Sequence, residues 1–232
     1  MVGIICAMDI ELEKILAAME DIETCVISNI KYNKGMIKGN EAVAAVCGVG
    51  KVNAAICAQT MILQFSPDLI INSGVAGGLS DSLNTTDIVI ADKVAEHDMD
   101  TTPLGDEPGF IYGLNTVKIE CDNKTAQTLF DCVESLGIHC EKGLIASGDQ
   151  FINGGEKMEY IKNAFNASAA EMEGAAVGHV CALNNIPFCV LRSISDKADG
   201  SSHMDYLAFT KIASQNSANA IIRFMESYKS KS

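Results

Sequence analysis

Apolar residues along this chain fall into short unbroken runs, separated by segments whose apolar positions recur every three or four residues. VGIICA (2–7) opens the series; AVAAVC (42–47), DLIINS (68–73), DIVIAD (87–92), GLIAS (143–147) and FCVLRSI (188–194) continue it. Runs of this length without polar alternation predict strands covered on both faces. Between them, DIELEKILAAME (9–20) predicts an amphipathic helix with Ile10, Ile15, Leu16 and Met19 on or near one face. KVNAAICAQTMILQF (51–65), NKTAQTLFDCVESLG (123–137, closed by Gly137) and the stretch from about Tyr206 to Tyr228 predict three more helices. Buried strands alternating with helices imply an α/β fold whose mostly parallel sheet takes ligands at strand carboxyl ends. No linker, repeat or low-complexity segment interrupts the series, so residues 1–232 are expected to form one domain.

The unusual residues gather at these predicted strand ends. CAMDIE follows the first strand, SGVAGG a middle one, SGDQFING follows GLIA, EMEG follows ASAA, and SISD follows VLR. In AAEMEGAAV (169–177) two carboxylates stand among small apolar residues, where acids are buried only when paired or functional. The candidate acids are Glu11, Asp149, Glu171, Glu173 and Asp196. Singly, each reads as a surface or capping acid: Glu11 is favourable in a first helical turn, and Asp196 could cap the segment after it. Together in one crevice they would crowd like charges, which raises carboxyl pKa values and creates general acids. One protonated acid and one ionised base are what hydrolysis of a glycosidic bond requires.

Charge and composition narrow the partners. A net charge of -13 excludes nucleic acid and anionic membrane as expected partners, since both need clustered Lys and Arg. Arginine occurs only at positions 192 and 223. The cysteines number 9, an odd count without any C-x-x-C pair, and MVGIICAM lacks the basic start of a secretion signal, so a reduced, cytoplasmic protein is expected. Gly48-Val49-Gly50-Lys51 is not a phosphate loop, because Val52 replaces the needed hydroxyl residue and position 45 is Ala. Gly74-Val75-Ala76-Gly77-Gly78 reads as a tight turn or as close backbone approach to a flat ligand. His97, Asp98 and Asp100 lack partner ligands, and His139, His179 and His203 are scattered, so no metal and no cofactor is expected. There is no G-x-S-x-G elbow for acyl transfer.

CAMDIE, SGVAGG, SGDQFING, AAEMEGAAVGHV and VLRSISDKAD, in that order, resemble the bacterial 5′-methylthioadenosine/S-adenosylhomocysteine nucleosidases of the purine nucleoside phosphorylase superfamily, from residue 3 to the C-terminal helix. The resemblance implies a three-layer α/β/α sandwich around a mixed, partly closed sheet, assembled as a homodimer. It implies hydrolysis of the N9–C1′ bond of methylthioadenosine and S-adenosylhomocysteine, and of 5′-deoxyadenosine. Carried over by motif, Glu11 would activate water and Asp196 would protonate N7 of the leaving adenine. Met172 and Glu173 would hold the ribose, Phe151 and Ile152 would cover the base, and Ala76 and Gly77 would line the ribosyl and base site. Met8 would pack on the sugar, while Ser195 and Arg192 would support the acid and the water. Tyr206, with Thr101 and Leu104 from a second copy of the chain, would form the apolar 5′ pocket. Val75 stands where many relatives have Ser, and Leu104 and Asp106 replace aromatics found in some. The same site could serve 6-amino-6-deoxyfutalosine. A phosphate-dependent phosphorylase and a non-catalytic nucleoside-binding protein are the rival readings. Against the phosphorylase, phosphate needs converging positive charge, and Glu11 stands where an anion would be repelled.

Overall fold

The computed structural model describes residues 1–197 and 202–228, with the backbone alone over 202–208. Every residue of the first strand, β1 (Val2–Cys6), is buried. It pairs in parallel with β4 (Asn40–Val46) on one side and β5 (Leu69–Gly78) on the other. Beyond β5 the sheet closes on itself. β5 pairs in parallel with β10 (Phe188–Asp196), which runs antiparallel to β6 (Ile88–Glu96). β6 pairs in parallel with β8 (Cys140–Ser147), β8 in parallel with β9 (Ala167–Glu171), and β9 antiparallel with the end of β5. The closed ring carries an open wing, β1–β4–β3–β2, formed with β2 (Met19–Ile27) and β3 (Ile30–Ile37). A two-residue strand, β7 (Ile119–Glu120), pairs with β6.

Helices cover both faces, giving the three layers expected. α1 (Asp9–Ala17), α3 (Asn123–Ser135) and α6 (Ser202–Ser227) share one face, and α2 (Lys51–Phe65) packs with α5 (Gly174–Asn184) on the other. α4 (Gly155–Phe165) lies against β8 and β9. The core is dominated by Ile, Ala, Val and Cys, whose small members let helices approach the sheet closely. No helix among the described residues is long and apolar enough to cross a membrane.

The structure departs from the sequence expectations in physically instructive places. The helix expected over 9–20 ends at Ala17, and Met19 already pairs with Ile37. Ile10 faces solvent, so Leu12, Ile15 and the half-buried Leu16 make a short apolar stripe. The β2–β3 hairpin gave no signal because β2 is exposed along most of its length and polar at Glu20, Asp21 and Glu23. α5 was missed for the opposite reason: packed between α2 and the sheet, it is apolar on nearly every side and has no helical period. SGVAGG is not a turn but the end of β5 itself, and SISD belongs to β10.

Gly178 on α5 sits tightly against sheet side chains. A Cβ there would lie 2.7 Å from the Phe188 ring and 2.9 Å from Val94 Cγ2. Gly178→Ala is expected to destabilise the protein by about 1–3 kcal/mol despite the better helix propensity of Ala. Denaturant unfolding checks this, and an unchanged or raised midpoint would contradict it.

Candidate active site

β5 is the spine of the site. Gly74 lies opposite Arg192, Val75 opposite Ser193, Ala76 opposite Ile194 and Gly77 opposite Asp196. The register slips between Ile194 and Asp196, so Ser195 is an extra residue in a bulge. Bulges of this kind re-aim side chains beside functional sites. Here Ser195 and Asp196 are both buried against β5. Ser195 Oγ donates to Asp196 Oδ1 at 2.8 Å and reaches the Ala76 carbonyl at 3.3 Å.

Glu11 reaches the same spine from the first turn of α1. Its Oε2 accepts the N–H groups of Ala7 and Met8, each at 2.9 Å, and its Oε1 accepts Val75 N–H at 3.0 Å. Glu11 is thus the carboxylate of a capping box, turned to hold a strand as well as its own helix. Its closeness explains Gly74: any Cβ at that position would overlap Glu11 Oε1. Burial raises the Glu11 carboxyl above its ordinary range, while Arg192 and the three N–H groups oppose the rise. Cys6 and Cys47 pack behind it, and burial pushes both thiols up, which keeps them neutral.

Below the cleft floor, Arg192 is 1% exposed. It pairs with Glu171 Oε2, lies 3.6 Å from Glu173 Oε2 and bonds the Asn72 side chain. Glu171 is further satisfied by Ser147 Oγ and by the N–H groups of Glu173 and Gly174, the latter at 2.8–3.0 Å. Glu173 has less: Gly50 N–H at 2.8 Å and the more distant guanidinium. Burial, reinforced by the neighbouring Glu171 charge, pushes the Glu173 carboxyl up to about 7.

These elements line one open cleft. Met8, Glu11, Ala76, Gly77, Phe151, Ile152, Met172, Glu173, Ser195 and Asp196 all line it. Phe151 stands half exposed at the mouth, whereas Ile152 is buried. Arg192 does not reach the cleft; it acts through Glu171 and Glu173 from beneath. Thr101 and Leu104 lie outside it, on the 3₁₀ turn Thr102–Leu104 and the residue before it, with Leu104 projecting into solvent. The Tyr206 side chain lies outside the described residues. Sequence reading missed Val49 and Gln150, which also line the cleft. Gln150 lies within SGDQFING and Val49 within the Gly48–Lys51 turn, so their place in these segments was the available signal.

Known proteins resemble the chain over nearly its whole length. The phosphorylase superfamily profile matches residues 1–226. The chain is 37% identical over 222 residues to the 5′-methylthioadenosine/S-adenosylhomocysteine nucleosidase of Staphylococcus aureus (strain JH9), covering 95% of this chain and 97% of that one. Among solved structures, it superposes at TM-score 0.95 and 32% identity on the Neisseria meningitidis nucleosidase of the same name, in complex with methylthio-immucillin-A, covering 98% and 99% of the two chains. It superposes at TM-score 0.94 and 34% identity on the futalosine hydrolase of Helicobacter pylori, covering 98% and 97%. The chain belongs to the phosphorylase superfamily, and within it to the 5′-methylthioadenosine/S-adenosylhomocysteine nucleosidases.

Proposed function

We propose that the chain hydrolyses the N-glycosidic bond of 5′-methylthioadenosine and S-adenosylhomocysteine, and of 5′-deoxyadenosine, releasing adenine and the 5-substituted ribose. The observation that carries this reading is the placement of Glu11 and Asp196 on one strand-built floor, anchored at Val75 and Gly77 of β5. Two residues of strand separate those anchors by about 7 Å. Both side chains line the same cleft, so a sugar carbon bound there can lie between an acid on one side and a base with its water on the other.

In the reaction, Asp196 gives its proton to N7 of the purine as the C1′–N9 bond breaks and its electron pair passes to the base. Adenine then leaves as a neutral molecule. Positive charge develops on the ribosyl ring, where the Glu173 carboxylate binds the hydroxyls and stabilises it. Glu11 takes a proton from the water that attacks C1′. Its raised pKa makes it a stronger base than an ordinary carboxylate, and its three backbone donors fix its aim. Phe151 and Ile152 cover the base, Met172 and Met8 pack on the ribose, and Ala76 and Gly77 allow the flat ligand to approach. Ser195 orients the acid, and Arg192 supports the carboxylates from below.

The cleft favours water over phosphate as nucleophile. Four carboxylates, Glu11, Glu171, Glu173 and Asp196, line it, and no Lys or Arg does among the described residues. The resemblance to the Helicobacter pylori futalosine hydrolase favours a second reading, hydrolysis of 6-amino-6-deoxyfutalosine at the same site. Residues 1–232 act as one nucleosidase domain, which the superfamily match over 1–226 supports. Nine free thiols suit a reducing cytoplasm.

A homodimer completes the reading. Val52, Ile56 and Leu63 form an exposed apolar stripe on α2, and Leu183 extends it on α5. In such a dimer the family resemblance assigns Thr101 and Leu104 of one copy to the neighbour's 5′ pocket, which suits their place outside their own chain's cleft. Light scattering is expected to give twice the chain mass; an active monomer would contradict the dimer.

Adenine release from methylthioadenosine is expected to proceed equally with and without phosphate, and Asp196→Asn is expected to lower kcat by about 10²–10⁴-fold. Strict phosphate dependence would make the protein a phosphorylase. Glu173 supplies a pH test. Its folded-state carboxyl is raised to about 7 from 4.5, so the stability it contributes is present at low pH and lost as pH rises through about 7. Glu173→Gln is therefore expected to raise the thermal midpoint of the empty protein by roughly 2–4 °C at pH 8, a gain fading towards pH 5. The same variant is expected to lower kcat/KM by about 10²-fold or more. A midpoint change independent of pH would refute the charge argument.

A further inference from the structure

The turn from Gly48 to Lys51 resembles a phosphate loop only superficially, yet it is tied to both sides of the cleft. Gly50 N–H donates to Glu173 Oε1 at 2.8 Å, and the next amide, Lys51 N–H, donates to Asp149 Oδ1 at 2.7 Å. Gly50 adopts φ +100°, and a Cβ there would lie 3.0 Å from Asp149 Oδ1, so the turn is built around these two acceptors. The Lys51 side chain runs away from the cleft. Its Nζ sits 3.0 Å from Glu96 Oε2 and 2.6 Å from Asp98 Oδ1, with the lysine side chain 18% exposed. Asp98 Oδ2 in turn accepts Asp149 N–H at 2.9 Å. Glu96 Oε1 meets His179 Nδ1 at 2.9 Å, and His179 belongs to α5, the helix that Glu173 precedes.

These bonds form a circuit. It runs from Glu173 through Gly50 and Lys51 to Glu96, and returns through His179 and the first turns of α5. A second branch runs through Asp98 and Asp149 to the loop that carries Phe151 and Ile152. With two carboxylates on its ammonium group, Lys51 is not available to bind an anionic ligand. The geometry points to Lys51 as a positioning residue: its ion pairs hold the Gly50 N–H on Glu173 and so keep the ribose-facing carboxylate in register with the loop over the base. This rests on the nucleosidase reading above. Partly desolvated pairs of this kind fix geometry more firmly than surface ion pairs do. A displacement of about 1 Å at a substrate-holding group is enough to cost up to about 10²-fold in rate.

A double-mutant cycle on the full chain, read by adenine release from methylthioadenosine, separates positioning through Glu173 from general structural support. Lys51→Met is expected to lower kcat/KM by about tenfold in the wild-type background and by no more than about twofold in a Glu173→Gln background. Lys51→Arg, which keeps the charge, is expected to stay within about threefold of wild type. Equal losses in both backgrounds, no loss in either, or a Lys51→Arg variant as impaired as Lys51→Met would overturn the inference. If Lys51→Met does not fold, Asp149→Asn, which weakens the acceptor of Lys51 N–H, carries the same cycle. A wild-type protein that releases no adenine would overturn the functional reading, and this inference with it. Full wild-type release with additive losses would overturn the inference alone.

Discussion

Among the described residues, the guanidinium of Arg192 is the fully buried positive charge on which the cleft carboxylates depend. It lies beneath Glu171 and Glu173, with Glu11 close enough to feel its field. Without it, three carboxylates would share a low-dielectric cleft with only N–H and O–H dipoles to hold them. Breaking such a buried arrangement by removing one partner typically costs about 3–5 kcal/mol. The arginine is placed by β10, the strand that also carries Ser195 and Asp196. The same hydrogen-bonded ladder with β5 therefore sets the floor of the site and its acid.

The closed part of the sheet explains how so many acids converge. β5, β10, β6, β8 and β9 form a ring, and the carboxyl ends of β1, β5, β9 and β10 open into one cleft. Small residues make the convergence possible. Gly74 leaves space for Glu11, Gly174 donates its N–H to the Glu171 carboxylate, and the alanines of β9 let α4 close in. The bulge at Ser195 then turns the end of β10 so that Ser195 and Asp196 both face inwards.

The three glutamates at the cleft are not equivalent, and the difference lies in their donors. Glu171 is saturated by Ser147, two backbone amides and Arg192, and serves as a structural anion. Glu11 keeps three well-aligned amides and is held rigidly. Glu173, with one amide and a distant guanidinium, is the least compensated and has its carboxyl at about 7. An under-satisfied carboxylate facing a cleft gains most from the hydroxyl donors of a bound sugar.

The sequence by itself determined the buried strands, because β1, the apolar parts of β4 to β6, and β10 are continuous apolar runs that only a covered sheet can accept. It also marked the chemistry, since CAMDIE, SGVAGG, EMEG and SISD put polar and glycine residues where such strands end. Local pattern could not reveal β2, whose exposed polar residues are ordered by pairing with β3, or α5, whose burial on most sides erases its period. Nor could it distinguish Glu171 from Glu173, two residues apart with the same side chain. Only the tertiary structure decided that one meets Ser147 and Arg192 closely while the other meets a single amide from residue 50 and the guanidinium at 3.6 Å. Burial and hydrogen-bond partners are supplied by residues distant in the chain, and they fix the free energy of a carboxylate far more than its neighbours in sequence do.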